Sequence, residues 1–183
     1  MFRGGKMKKN EIRREVKCQT LALDAKQRLG QSLGVVERVG AIIAQRKSQT
    51  VALFSPLNDE VQIAQLVDEL TCRVVLPRVE GDGMEFYDYH AGELAQGAYG
   101  IAEPQDGELC LPQEIDLMVV PGVAFTPSGD RLGRGKGYYD RYLAREGFRA
   151  YCVGVCYAHQ LLTEIPTEPH DKRMDMVVSG NEL

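Results

Sequence analysis

An α/β fold of three layers, a mainly parallel sheet flanked by helices in a single domain, follows from three features of the sequence. Short apolar runs alternate with segments of helical period, starting with a strand–turn–helix–strand order over residues 50–79. The connections are short, as they are where helices pack back on a parallel sheet. The clearest buried strand, IDLMVVPG at 115–122, leads into a glycine-rich loop and then a helical segment. In open α/β sheets that edge, outside the carboxyl ends of the strands, is where ligands bind.

Residues 7–29 read as a charged helix. Ile12, Val16 and Leu23 give it a thin apolar face, while Lys9 and Arg13, four apart, share another. Residues 32–45 read as a second helix with Ser32 as its N-cap. The strand TVALF (50–54) stops at SPLND, where Pro56, Asn58 and Asp59 supply turn chemistry. Helical period resumes over 60–70, and 72–79 is a second strand ended by Pro77. A shorter strand covers 84–89, and 91–114 is rich in turns. Beyond 115–122 come the glycine loop, a helix over 138–146, a strand over 150–157, the polar stretch TEPHDKRMD (167–175) and a last strand at 176–180. No repeat or low-complexity linker divides the chain.

The chain has 183 residues and a net charge of −4, which argues against general nucleic-acid binding, since a phosphate backbone rewards a broad basic surface. No apolar run is long enough to cross a bilayer, and no signal-peptide pattern is present, so no membrane partner is expected. Residues 1–6 read as a disordered N-terminal extension, with Met7 as an alternative start. Five cysteines are an odd number without zinc-type spacing, which points to reduced thiols and a cytoplasmic protein.

The segment GDRLGRGKGYYDRYL (129–143) carries the chemistry. Gly133, Gly135 and Gly137 can take positive φ and lack Cβ atoms, so successive N–H groups can converge on an anion. Arg131, Arg134 and Lys136 add full charges, and the start of the next helix adds a partial one. A flexible, solvated loop is the competing reading. Neither the Walker spacing nor the dinucleotide fingerprint is met. Asp140 in the first helical turn suits the helix dipole, the reading favoured from the residue alone, with a magnesium ion shared with phosphate as the functional alternative. Tyr138 and Tyr139 are candidates for ring stacking or for the core.

Together these residues resemble the 5-formyltetrahydrofolate cyclo-ligase family, also called methenyltetrahydrofolate synthetase. RLGRGKGYYD with PGVAF upstream carries the resemblance, and KNEIR, LFSPLNDEV, LPRV and HDKRMD extend it in the family's order along most of the chain. It implies one cyclo-ligase domain over 1–183, a monomer that acts on small molecules. The implied reaction is ATP- and Mg²⁺-dependent closure of 5-formyltetrahydrofolate to 5,10-methenyltetrahydrofolate, with release of ADP and phosphate. ATP would phosphorylate the formyl oxygen, and N10 would attack the activated carbon. Such a site needs cations, a metal and ring-binding surfaces more than a histidine base.

The resemblance also implies residue roles. Lys9, Arg13 and the loop Arg131, Leu132, Gly133, Arg134, Gly135, Lys136, Gly137, Tyr138 and Tyr139 would bind ATP, with Arg134 and Lys136 catalytic. Ser55, Glu60 and Tyr138 would bind the folate, Glu60 accepting the pterin's N–H edge. An acid at the start of a helix is the competing reading of Glu60. Asp140 and Asp175 would hold Mg²⁺, converging from distant parts of the chain. Thr126 stands where the family usually has an acid, which leaves room for a protein that binds without turnover. A stacking platform for single-stranded nucleic acid is the alternative from another class. His170 beside Asp171 is expected to orient the tail segment, and His90 and His159 to lie on the surface.

Overall fold

The computed structural model describes residues 7–90, 94–96, 102–104 and 107–180; the N-terminal extension expected over residues 1–6 lies outside them. Helices α1 (Lys9–Ala22) and α2 (Ala25–Arg46) precede β1 (Thr50–Ala52), α3 (Gln65–Glu69) and β2 (Arg73–Glu80). Next come β3 (Gly83–Asp88), β4 (Leu94–Gln96), β5 (Ala102–Pro104), β6 (Leu109–Cys110) and β7 (Leu117–Pro121). A small hairpin of β8 (Ala124–Phe125) and β9 (Arg131–Leu132) leads to α4 (Tyr138–Leu143), β10 (Tyr151–Cys156) and β11 (Met176–Ser179).

The main sheet has the order β11-β10-β7-β1-β2-β3-β6. Strands β11, β10, β7, β1 and β2 are mutually parallel, while β3 and β6 add antiparallel pairings at one edge. The apolar run of β7 explains itself by alternation. Leu117 and Val119 join the core under α2, beside Val35, Val39 and Ile43. Met118 and Val120 join the opposite core, with Phe86, Phe125 and Tyr142. A strand buried on both faces must be apolar throughout. Helix α1 docks separately, Ile12 and Val16 packing on Ala124, Leu132 and Ile165.

Several elements differ from expectation for local reasons. The first helix stops at Ala22 because Asp24 caps a new one: its carboxylate accepts the Gln27 N–H at 2.7 Å, and the Gln27 side-chain oxygen accepts the Asp24 N–H at 2.9 Å. Ser32 is therefore no cap but sits buried inside α2, accepting the Gln62 N–H. Residues 60–64 are not helical, because that bond and a Glu60 bond to the Leu57 N–H hold them otherwise, so α3 spans 5 residues. Strand β2 runs through Pro77. Its pairing with β1 ends at Val75, so the proline sits where β2 has one neighbour. Helix α4 stops at Leu143.

At the root of the β8–β9 hairpin, the Phe125 ring lies against two glycines. A Cβ built on Gly122 would come within 2.6 Å of it, and one on Gly154 within 2.5 Å. All five cysteines are free thiols; burial pushes those of Cys152 and Cys156 up to about 12. Among the described residues, no helix is long and apolar enough to cross a membrane.

Candidate active site

From β1 the chain crosses to β2 on one side, and it later returns to place β7 on the other side of β1. This reversal opens a crevice at the carboxyl ends of the two strands. Phe54 and Ser55 beyond β1, with Pro121 and Gly122 at the end of β7, line a cleft of about 550 Å³ there.

The glycine loop forms one wall. Gly135 has φ +102° and Gly137, the N-cap of α4, has φ +71°, so both need the freedom expected of them. Gly133 is small for another reason: the Arg131 guanidinium lies 3.1 Å from where its Cβ would be. Arg131 is 7% exposed; its Nε donates to the Pro121 carbonyl at 2.8 Å, and Nη1 lies 3.5 Å from Asp140. Guanidinium groups cover two carbonyls that would repel an anion. Arg13 Nε donates to the Gly133 oxygen at 2.9 Å, and Arg141 Nη1 to the Lys136 oxygen at 2.9 Å. The Lys136 ammonium has no hydrogen-bond or ion-pair partner among the described residues and lines the cleft. Leu132 packs under the loop, buried in the α1 core. With α4 only 6 residues long, side-chain charge outweighs any helix dipole.

Lys9 and Arg13 do share a face, and α1 brings both to the cleft. Lys9 Nζ pairs with Asp171 at 2.7 Å and Glu168 at 2.8 Å. Burial alone would push the Asp171 carboxyl up, but the Lys9 bond outweighs it and holds the group below the usual range. His170 is exposed beside the same two acids. Asp140 lines the cleft from the start of α4, one oxygen accepting the Lys172 N–H at 3.3 Å.

Asp175 does not join Asp140. Its backbone pairs with Cys152, near the amino end of β10, and its carboxylate accepts the Cys152 N–H at 2.7 Å. It is not among the residues lining the cleft; Asp171, four residues earlier, is. Thr126 is 2% exposed and away from the cleft, and its hydroxyl accepts the Asp130 N–H at 3.0 Å to close the 126–130 turn. His159 also departs from expectation. It is half-buried, its Nε2 lies 2.7 Å from the Thr20 hydroxyl, and burial lowers its pKa.

The rest of the cleft lining is mixed acid and apolar. It includes Phe54, Pro77, Val79 and Met84, with Tyr138 and Tyr139 at the start of α4. Both tyrosines are half-buried; the fully buried aromatic of α4 is Tyr142. Loss of solvent raises the pKa of the Tyr139 hydroxyl. Ser55 donates to the Ala102 carbonyl at 2.6 Å. Two buried carboxylates also line the cleft: Glu60, 8% exposed, and Glu103, 5% exposed. Glu60 Oε2 accepts the Leu57 N–H at 2.9 Å, and Oε1 accepts from Arg134 Nε at 3.0 Å. Sequence reasoning missed Glu103, Glu168 and Asp171. Glu103 sits in a stretch without periodicity, whereas HDKRMD offered two equivalent aspartates and no cue to which one faces inward.

A model of the 5-formyltetrahydrofolate cyclo-ligase family matches residues 5–180. The chain is 29% identical to the mouse 5-formyltetrahydrofolate cyclo-ligase over 93% of its own length and 92% of the relative's. An NMR structure of the Aquifex aeolicus 5,10-methenyltetrahydrofolate synthetase superimposes with a TM-score of 0.87 at 36% identity, covering 96% of this chain and 91% of that one. The corresponding Mycoplasma pneumoniae synthetase gives 0.77 at 25% identity, covering 93% and 98%. A family match over nearly the whole chain, together with the shared α/β fold, means that this protein belongs to the 5-formyltetrahydrofolate cyclo-ligase family.

Proposed function

We propose that the chain is an ATP-dependent enzyme that closes 5-formyltetrahydrofolate to 5,10-methenyltetrahydrofolate, releasing ADP and phosphate. One observation carries this reading: a single cleft joins a cationic glycine loop to an apolar, acid-bearing pocket. The cationic loop suits a triphosphate, and the apolar side chains with the buried carboxylates suit a pterin.

In this reading Arg13 keeps the loop open toward the phosphates, and Lys136, Arg134 and Lys9 meet them. Tyr138 and the apolar strip hold the flat ring, and Glu60 accepts its adjacent N–H donors. The formyl oxygen attacks the γ-phosphorus as the bond to ADP breaks. N10 then attacks the formyl carbon and loses its proton, and the C–O bond breaks with departure of phosphate. Lys136 contributes most because it stabilises charge that grows on the transferring phosphoryl group. The protein's main task is alignment.

The residues present suit magnesium. Asp140 and Asp171 offer oxygen ligands on the cleft wall beside the phosphate loop, with side chains 20% and 14% exposed. These two would hold the ion, and it would neutralise phosphate charge. Asp175, spent on the strand backbone, is replaced by Asp171 in this role. The enzyme acts as a cytoplasmic monomer in this reading, as the family resemblance implies.

Purified protein mixed with 5-formyltetrahydrofolate, Mg²⁺ and ATP is expected to generate the methenyl chromophore. No absorbance change at any ATP concentration would overturn the proposal.

A further inference from the structure

Arg134 is the most heavily engaged cation on the cleft wall, and its partners, Asp59 and Glu60, come from the turn that follows β1. Its guanidinium makes a two-point clasp with Asp59, Nη2 to Oδ1 at 2.6 Å and Nη1 to Oδ2 at 3.1 Å. At the same time Nε donates to Glu60 Oε1 at 3.0 Å. The second Glu60 oxygen is already taken by the Leu57 N–H. An incoming N–H pair must therefore compete with the guanidinium for the Glu60 lone pairs that remain. Burial opposes the charge of both Arg134 and Asp59, yet their mutual bonds outweigh it, so both stay ionised. Arg134 lies between Gly133 and Gly135, which gives its backbone room to swing.

We infer that Asp59 is a positioning residue that parks Arg134 over Glu60, so that the phosphate site and the ring site open together. The inference rests on the proposed function above. A guanidinium cannot clasp Asp59 and a phosphate with the same pair of N–H groups. Polyphosphate binding draws Arg134 off both acids and uncovers Glu60. Because coupling between two ligands is reciprocal, a ring bound on Glu60 frees Arg134 for phosphate in turn. Without nucleotide the ring competes with a charged, bidentate neighbour. The latch thus favours a folate that arrives together with its phosphoryl donor.

The test is calorimetric titration of the full chain with 5-formyltetrahydrofolate, alone and with saturating Mg²⁺ and the non-hydrolysable β,γ-imido analogue of ATP. The analogue should tighten folate binding about tenfold. Asp59→Asn should bind the analogue about threefold or more tightly, because Arg134 is released. In Arg134→Gln that gain should vanish, and folate binding should no longer respond to the analogue. A role in holding the turn together predicts the reverse, weaker binding of both ligands in Asp59→Asn. Equal gains from Asp59→Asn with and without Arg134 would reduce Asp59 to a background charge and overturn the latch. So would independent binding of the two ligands by wild-type protein that forms the methenyl product. Wild-type protein that binds neither ligand and forms no product would instead remove the functional reading, and the latch with it.

Discussion

At the amino ends of the parallel strands, carboxylates are closed onto backbone. Asp116 accepts the N–H groups of Gln49 and Thr50 at 2.8 and 2.9 Å, and Asp175 accepts that of Cys152. At the carboxyl ends of the same sheet, Glu60 and Asp171 each accept a backbone N–H too, but with Asp59 they also hold Arg134 and Lys9, cations on long side chains. An N–H fixed in a strand cannot leave its partner without unfolding the strand, whereas a long side chain can. The same residue type thus braces one edge and stays exchangeable at the other. Stability and activity should divide along that line.

The largest effect is expected at the carboxyl edge. Lys136→Ala should lower kcat/KM for ATP by about 10²-fold or more, the scale of losing a donor aimed at developing charge. Its melting temperature should stay near wild type, since that side chain covers no core. Equal losses of activity and melting temperature would blur the division. At the amino edge, Asp116→Ala removes two charge-assisted bonds and should cost about 1–2 kcal/mol, a drop of about 2–8 °C in this size range. Its activity per folded molecule should hold. Asp175→Asn is a finer test, with an expected cost of about 1 kcal/mol and turnover within about twofold of wild type. Loss of turnover at unchanged melting temperature would return Asp175 to the metal site.

The smallest expected effect is on pH. His159 links the turn after β10 to Thr20 of α1, the helix that carries Lys9 and Arg13. Its folded pKa lies below the ordinary 6.5 through burial, so the unfolded chain binds the proton first. Its share of stability is full above pH 6.5 and is lost as the pH falls through the folded value. Melting curves from pH 7.5 to 5.5 should therefore decline less steeply in His159→Gln than in wild type. Identical slopes would show that His159 charges freely.

How much was legible in the sequence follows the same physics. Strand β7 announced itself because both its faces are buried, and the glycine–cation loop because positive φ leaves a mark in residue type. Lys9 and Arg13 were visible as a pair because helical spacing fixes a shared face. The break at Asp24 was hidden inside a continuous helical period, where one capping side chain outweighed the pattern. Helix α3 was overread, since Val61 and Ile63 face the core from a backbone held by side-chain bonds. Asp171 and Asp175 could not be told apart, because only the path of the chain around Met174 decides which carboxylate reaches the cleft. The pairing of Arg134 with Asp59 and Glu60 joins residues some 75 positions apart, a relation no local window contains.

The Phe125 ring, seated between Gly122 and Gly154, sets the angle at which the hairpin leaves the sheet and so aims the glycine loop. Even an alanine at Gly154 would have to displace that ring. A genetic screen for inactive alleles would therefore recover this glycine, deep in a strand, alongside the lysine and arginines that line the cleft.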